Sequence, residues 1–284
     1  MDIDLLIQRV VAIAGSYRGG GVVTIESVEL WIDQYGQYIE DQEIVLSSLI
    51  SKLERYYLTE ETLTEFFQGS REDLAKKFDG IWSNAEIMND GDPGKSQDVI
   101  VSSMLPDELQ ELETHPNPKY YVYYDDAIYT GNTILKHIRA KVDSIDLDNR
   151  SSDNPIHFIV YVAAMHIETS WGREYEPFGI FLLRQFLKER GIGLDVLPMM
   201  RVDRSECYGG LMGTDIDTPF FEYFPETEGN YGPFGLISTH GLAKKATYGF
   251  GSPIVTYRNC PNGSPVGLWK SPGWNPLFPR VQCS

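Results

Sequence analysis

Residues 120–135 read YYVYYDDAIYTGNTIL, and no other stretch of the chain restricts its fold as much. Tyr120 to Tyr124 is apolar throughout and too short for a buried helix, so it predicts a buried strand. The strand ends in Asp125 and Asp126. After a loop of small polar residues, Ile134, Leu135, Ile138 and Val142 fall on one helical face. Strand, acidic pair, loop and helix in that order belong to an open α/β sheet, where ligands sit at the carboxyl ends of the strands.

The residue types suit an anionic sugar ligand. Amides in the first turn of a helix lack intrahelical partners and carry the positive end of its dipole, so a loop closing onto them cradles a phosphate. Gly131 admits close approach of the backbone, and Thr130, Asn132 and Thr133 add short side-chain donors. Adjacent carboxylates accept hydrogen bonds from vicinal sugar hydroxyls and hold magnesium directly or through water.

At these residues the chain resembles the phosphoribosyltransferases, whose signature is an apolar strand, Asp-Asp/Glu, three residues, then Thr-Gly-x-Ser/Thr. Asp125, Asp126, Thr130, Gly131 and Thr133 fill its constrained positions. The resemblance implies that Asp125 and Asp126 meet the ribose 2- and 3-hydroxyls of phosphoribosyl pyrophosphate, and that Thr130 to Thr133 hold the 5-phosphate. It further implies Mg2+ as cofactor. The tyrosine-rich strand departs from the aliphatic one usual in that family and points to an outlying branch. Fold does not fix turnover, so a non-catalytic sensor or regulatory subunit stays open beside the enzyme, as does an interaction subunit with a vestigial site.

Composition narrows the classes. A chain of 284 residues buries a sizeable core, and its net charge of −17 repels phosphate backbones, which speaks against direct binding to nucleic acid or to anionic membranes. No run is apolar enough to span a bilayer. Asp2, Asp4, Gln8 and Arg9 break up the first segment, which argues against a signal peptide. Cys207, Cys260 and Cys283 are odd in number and far apart, against a disulfide framework or zinc site and in keeping with a cytoplasmic protein.

The first third reads as helices. Val28, Trp31, Tyr35 and Tyr38 form one stripe; Leu46, Leu49, Ile50, Leu53 and Tyr57 a second; Leu63, Phe66 and Phe67 a third. Ser70 with Asp73 resembles a capping box and predicts a fourth helix starting there. Lys52 with Arg55, and Arg71 with Lys76 and Lys77, read as solvated faces. The helical segment with Trp31-Ile32-Asp33-Gln34-Tyr35, the tail motif at 259–262 and Trp274 to Arg280 together resemble the phosphoribosyltransferase-like domains of bacterial conflict systems. Those accompany retrons and other anti-phage modules, which implies an effector role and a protein partner engaged through the helical segment.

In the phosphoribosyltransferases that the chain resembles, an early loop with a basic residue and small residues grips pyrophosphate. Gly94, Lys95 and Ser96 suit that role, since a mobile ammonium and close-approach amides neutralise a diphosphate, and an ordinary surface turn made by Gly91, Pro93 and Gly94 is the equal alternative. Gly94, Lys95 and Ser96 also mimic the end of a Walker A loop. Asn89 stands at its first glycine position, and QDVIVSS after Ser96 alternates like a strand where that motif needs a helix. His166 with Glu168 matches half of a zinc deaminase signature whose cysteine half is absent. The pair closes a predicted strand from Phe158 to Ala164, and its place makes Glu168 and Ser170 candidate substrate contacts. His115, His137, His157 and His240 have no metal spacing.

A helix from Ile180 to Glu189 and a strand from Leu194 to Leu197 complete a parallel α/β pattern. A short helix near Leu242 and a strand at Ile254 to Tyr257 follow. The Trp- and Pro-rich tail, Trp274 included, is a candidate hood over a nucleobase or other acceptor. The expected organisation is a helical segment over residues 1–82 and a phosphoribosyltransferase-like α/β domain over 83–284.

Overall fold

The structure is a computed structural model and describes residues 2–35, 42–89, 96–113, 115–147, 155–170, 173–206, 253–258, 260, 268 and 275–279. The chain divides into two compact units: residues 1–60 together with 203–284, and residues 61–202. The domain boundary expected at 82/83 falls inside the second unit.

In the first unit, α1 (Ile3–Ala14) is capped by the Asp2 carboxylate on the Asp4 amide at 3.1 Å. It is followed by α2 (Ile25–Tyr35) and α3 (Gln42–Tyr56). The expected stripes are buried: Val28 and Trp31 from α2, and Leu46, Leu49, Ile50 and Leu53 from α3. Tyr38 and the Tyr35 side chain lie outside the described residues. Tyr57 does not extend its helix. It opens β1 (Tyr57–Leu58), which pairs in parallel with the late strand Val255–Thr256. Tyr17 stacks edge-on against Phe278 at 5.1 Å, and burial pushes its hydroxyl pKa up to about 12. Lys52 and Arg55 are not simply solvated: Lys52 donates to the Glu206 carbonyl at 2.7 Å, and Arg55 pairs with the Glu206 carboxylate at 2.6 Å.

The second unit opens with α4 (Glu60–Lys77), one continuous helix where two were expected. Ser70 caps nothing. Its hydroxyl is buried at mid-helix and lies 3.2 Å from the Tyr124 hydroxyl, a partner far away in sequence that no local pattern reveals. After β2 (Ala85–Met88) come α5 (Ser96–Val99), a single π-helical turn at Ile100–Met104, and α6 (Asp107–Gln110). The strand expected after Ser96 is therefore helical. Its β-branched run favours a strand locally, but burial of Val99, Ile100 and Met104 on one side holds it as a helical turn. The second objection to a Walker A loop falls with it, while Asn89 still occupies the glycine position.

The sheet is built from β3 (Tyr120–Ile128), β4 (His157–Ser170), β5 (Arg173–Tyr175) and β6 (Gly193–Asp203) together with β2, and β7 is the late strand Val255–Thr256 of the first unit. The strand order is β2-β3-β4-β5, and β6 also pairs with β4. β2, β3 and β4 run parallel, and β5 turns back antiparallel on the far end of β4. Two helices, α7 (Asn132–Ser144) and α8 (Phe178–Lys188), pack Ile134, Ile138, Val142, Ile180, Leu183 and Leu187 onto Tyr121, Tyr123, Phe158 and Val160. Tyr120 and Tyr124 turn the other way. Tyr124 meets Phe67 of α4 edge-on at 6.1 Å, and Tyr120 contacts Phe78 at 5.8 Å. The tyrosine strand is thus covered on both faces, which explains why it reads as a continuous apolar run. These elements form the expected α/β core with a mainly parallel sheet preceded by helices.

Candidate active site

β3 is longer than its apolar run. β2 stops at Met88, opposite Tyr123, whereas β3 stays paired with β4 to Ile128. Asp125 and Asp126 therefore lie within the strand, past the end of one neighbour and beside the other. The first residues of α5 face this open edge. Ser96 Oγ donates to Asp126 Oδ2 at 3.0 Å, and Gln97 Nε2 donates to the Met88 carbonyl at 3.1 Å. Gln97 is buried, and its Oε1 has no hydrogen-bond partner.

The two carboxyls sit at the bottom of this edge with protein around them and partial access to solvent. Burial raises the pKa of Asp125 well above the carboxylate range, and the charge of Asp126 beside it adds to the rise. Burial also raises Asp126, against the hydrogen bond from Ser96. The Asp126 amide donates to Asp125 Oδ1 at 2.9 Å, which fixes one oxygen of the pair. Two like charges held this close favour an arriving cation or hydroxyl donor that satisfies both.

Behind the pair, the chain enters α7 through Gly131 at φ 74°, a left-handed conformation that costs glycine little. Gly131 supplies no side-chain cap, and the Asn132 amide has Thr130 Oγ1 at 3.4 Å. Beyond Asn132, the first-turn amides of α7 carry the positive end of its dipole. Asn132 and Thr133 are exposed there.

A contact not legible in the motif holds this loop. The Gly179 amide donates to the Thr130 carbonyl at 2.8 Å. A Cβ on Gly179 would stand 2.5 Å from the Gly131 carbonyl carbon and 2.6 Å from the Thr130 oxygen. The start of α8 lies backbone against backbone on the TGNT loop, and only glycine fits. The signal in the sequence was a glycine in the first turn of an otherwise strong helix, next to Pro177. Beside the loop, Tyr129 packs on the buried His166 ring at 5.1 Å.

The structure brings Asp125, Asp126, Thr130, Gly131, Asn132, Thr133 and Ser96 to one end of the sheet. Ser96, a pyrophosphate-loop candidate, donates to Asp126. Gly94, Lys95 and Trp274 lie outside the described residues. Glu168 and Ser170 belong to the extension of β4 that pairs with β5, opposite Tyr175 and Arg173. β4 was expected to stop near Ala164; it runs six residues further, paired with β3 to Met165 and with β5 at Glu168 to Ser170. His137 and His157 have structural partners, Tyr123 at 3.1 Å and Asp195 at 2.8 Å. Among the described residues no group of three or more His, Cys, Asp or Glu converges as a metal cage.

A parallel sheet with an acidic pair at the carboxyl end of one strand, and a glycine loop leading from it into an uncapped helix, defines a phosphoribosyltransferase-type domain. A family model described as PRTase-CE matches residues 28–190 and 208–280, and the chain belongs to that family. The match begins inside α2, so most of the helical first third falls within the family's own extent. No curated protein and no solved structure matches the chain.

Proposed function

We propose that the protein is a magnesium-dependent phosphoribosyltransferase-like enzyme that binds phosphoribosyl pyrophosphate or a related nucleotide. The observation that carries this reading is the acidic pair at the open edge of β3 with the uncapped start of α7 behind it. Asp125 and Asp126 take the vicinal ribose hydroxyls, while Thr130 to Thr133 and the first amides of α7 take the 5-phosphate. Ser96 keeps Asp126 turned toward the ligand.

The donor set fits magnesium. Two hard carboxylates are too few for a protein cage but sufficient for an ion that keeps water and uses oxygens of its ligand. When bound, the ion supplies charge that stabilises the departing diphosphate. The chain's own contribution is to hold sugar and phosphate apart at fixed distance, so that cleavage at the anomeric carbon proceeds from one geometry.

The defining experiment is calorimetric titration of phosphoribosyl pyrophosphate, with and without magnesium, into wild type and Asp125→Asn/Asp126→Asn. Binding that requires both magnesium and the carboxylates is expected, and no binding under any condition overturns the reading. Tight binding without consumption of any candidate ligand would assign the site to a sensor or regulatory subunit. The effector role in anti-phage defence draws on the Trp31 to Tyr35 segment and the tail motifs. A defence phenotype that survives the double substitution would remove it.

A further inference from the structure

Elsewhere in this acidic chain the described cations pair with carboxylates: Arg9 with Glu54, Lys77 with Asp195, Lys141 with Glu86 and Arg184 with Glu176. Arg139 of α7 is exposed and meets no carboxylate among the described residues, although Asp143 stands one turn further along the helix. Its guanidinium lies instead over the Phe186 ring of α8, 4.8 Å from the centroid. A second guanidinium, that of Arg190, lies 3.8 Å from the same centroid. Their central carbons are therefore at most about 8.6 Å apart, the sum of those two distances.

The mount is firm. Phe186 is half-buried and packs against the core beneath α7 and α8. Arg190 follows the last turn of α8, where it donates to the Phe186 carbonyl at 3.0 Å, and its contact with the adjacent Glu189 is long, at 3.9 Å. Attraction to the negative end of a helix accounts for Arg190 by itself. It does not account for Arg139, which comes from the middle of another helix. An aromatic face attracts one cation, but a second brought to the same ring meets the charge of the first. Lys136, exposed one turn before Arg139, adds a third positive charge to that side of α7. Each guanidinium carries five N–H donors, and Arg190 spends one on Phe186, so both keep donors for an acceptor from outside.

We propose that Arg139 and Arg190, mounted on Phe186, clamp a phosphate dianion between α7 and the end of α8. The site goes beyond the function proposed above: Arg139 lies seven residues, about 10 Å along the axis, from Asn132 at the start of α7. Guanidinium forks match carboxylates and phosphates alike. One fork neutralises a carboxylate, whereas two forks call for a dianion, and a tetrahedral group offers oxygens to both sides at once. The chain holds 41 Asp and Glu, yet none of those described bridges the two arginines. The ligand chemistry is thus a phosphoryl group, either free in solution or carried by a phosphorylated protein.

The test follows the Nε–H resonances of Arg139 and Arg190 by NMR, assigned through Arg139→Gln and Arg190→Gln, as inorganic phosphate is added. Phosphate on the loop at residues 130–133 sits about two helical turns away, so these signals report the clamp. Both should shift with one shared dissociation constant, and Arg139→Gln should weaken the response of Arg190 by about 10-fold or more. Acetate at the same ionic strength should move neither. N-acetylphosphoserine amide distinguishes the sources: tighter binding than inorganic phosphate assigns the clamp to a protein-borne phosphate, weaker binding to a free one. Absence of any shift with both phosphates overturns the proposal. So does an Arg190 response that survives Arg139→Gln unchanged, since the anion then rests on one arginine alone, and so does an equal response to acetate. Binding of phosphoribosyl pyrophosphate at the acidic pair should be unchanged in Arg139→Gln, which keeps the outcome separate from that of the site on β3.

Discussion

Replacing Gly179 by Ala adds one methyl group at the tightest backbone approach near the site. That methyl would meet the Gly131 carbonyl carbon at 2.5 Å, the Thr130 oxygen at 2.6 Å and the Gly131 oxygen at 2.7 Å. Ordinary carbon contacts lie near 3.5–4.0 Å, so loop and helix must separate by about 1 Å. Overpacking of this kind costs about 1–3 kcal/mol. Loss of the Gly179–Thr130 hydrogen bond adds about 1 kcal/mol, and better helix propensity returns somewhat less than that. The net cost is about 1–3 kcal/mol, or a Tm lower by about 2–12 °C. The same methyl at Gly69, inside α4 with nothing within 4 Å, should raise stability by about 0.5–1 kcal/mol. Scanning calorimetry on both variants reads the opposite signs, and titration of ribose 5-phosphate reads the site. A displaced loop loses hydrogen bonds to the phosphate and should bind ribose 5-phosphate more weakly, by about 10-fold for each 1.4 kcal/mol lost. If Gly179→Ala melts within about 2 °C of wild type, the backbone contact is not what holds the loop and the reasoning fails.

Further consequences concern the acidic pair and its supports. Both carboxyls have folded-state pKa values raised above the unfolded one, so their ionisation opposes folding as pH rises through those values. Asp125→Asn should accordingly raise the Tm of the ligand-free protein at pH 7 by about 2–4 °C, as ~1 kcal/mol would, while abolishing magnesium-dependent binding; thermal scans with and without ligand check both. Ser70→Ala strands a buried Tyr124 hydroxyl and should cost about 1–3 kcal/mol, with Ser70→Ala/Tyr124→Phe recovering part of it in a urea-denaturation cycle. Burial works against ionisation of Asp195, but hydrogen bonds from Lys77 and His157 outweigh it and hold its pKa below the ordinary value. Its contribution is present above about pH 3.9 and is lost as pH falls through the depressed value. Because Lys77 and Asp195 are a third or more exposed, Asp195→Asn should cost under about 1 kcal/mol at pH 7, and urea midpoints of the two proteins should converge in acid.

Much of this site could be read before any coordinates. Residues 120–135 carry their meaning locally: apolar strand, carboxylates, glycine and a helical face follow within one unit, and each is set by spacing over a few residues. The helices of the first third were legible for the same reason. What sequence reasoning misplaced depended on partners elsewhere. Ser70 resembles a helix cap because serine and a carboxylate three residues on make that signature, yet its hydroxyl belongs to Tyr124. The stretch after Ser96 resembles a strand because β-branched residues favour one, until burial of Val99, Ile100 and Met104 decides for a helical turn.

By itself, then, the amino-acid order determined the α/β class, the acidic pair, and a loop suited to phosphate at the start of a helix, because all three are properties of contiguous residues. The tertiary structure alone decided how far β3 runs, since its last residues pair with β4 past the end of β2. It also decided that Ser96 orients Asp126 and that Gly179 seals the loop. These contacts join residues 30 and 48 or 49 positions apart, where closeness is set by the packing of strands and helices and leaves no periodic mark on the chain.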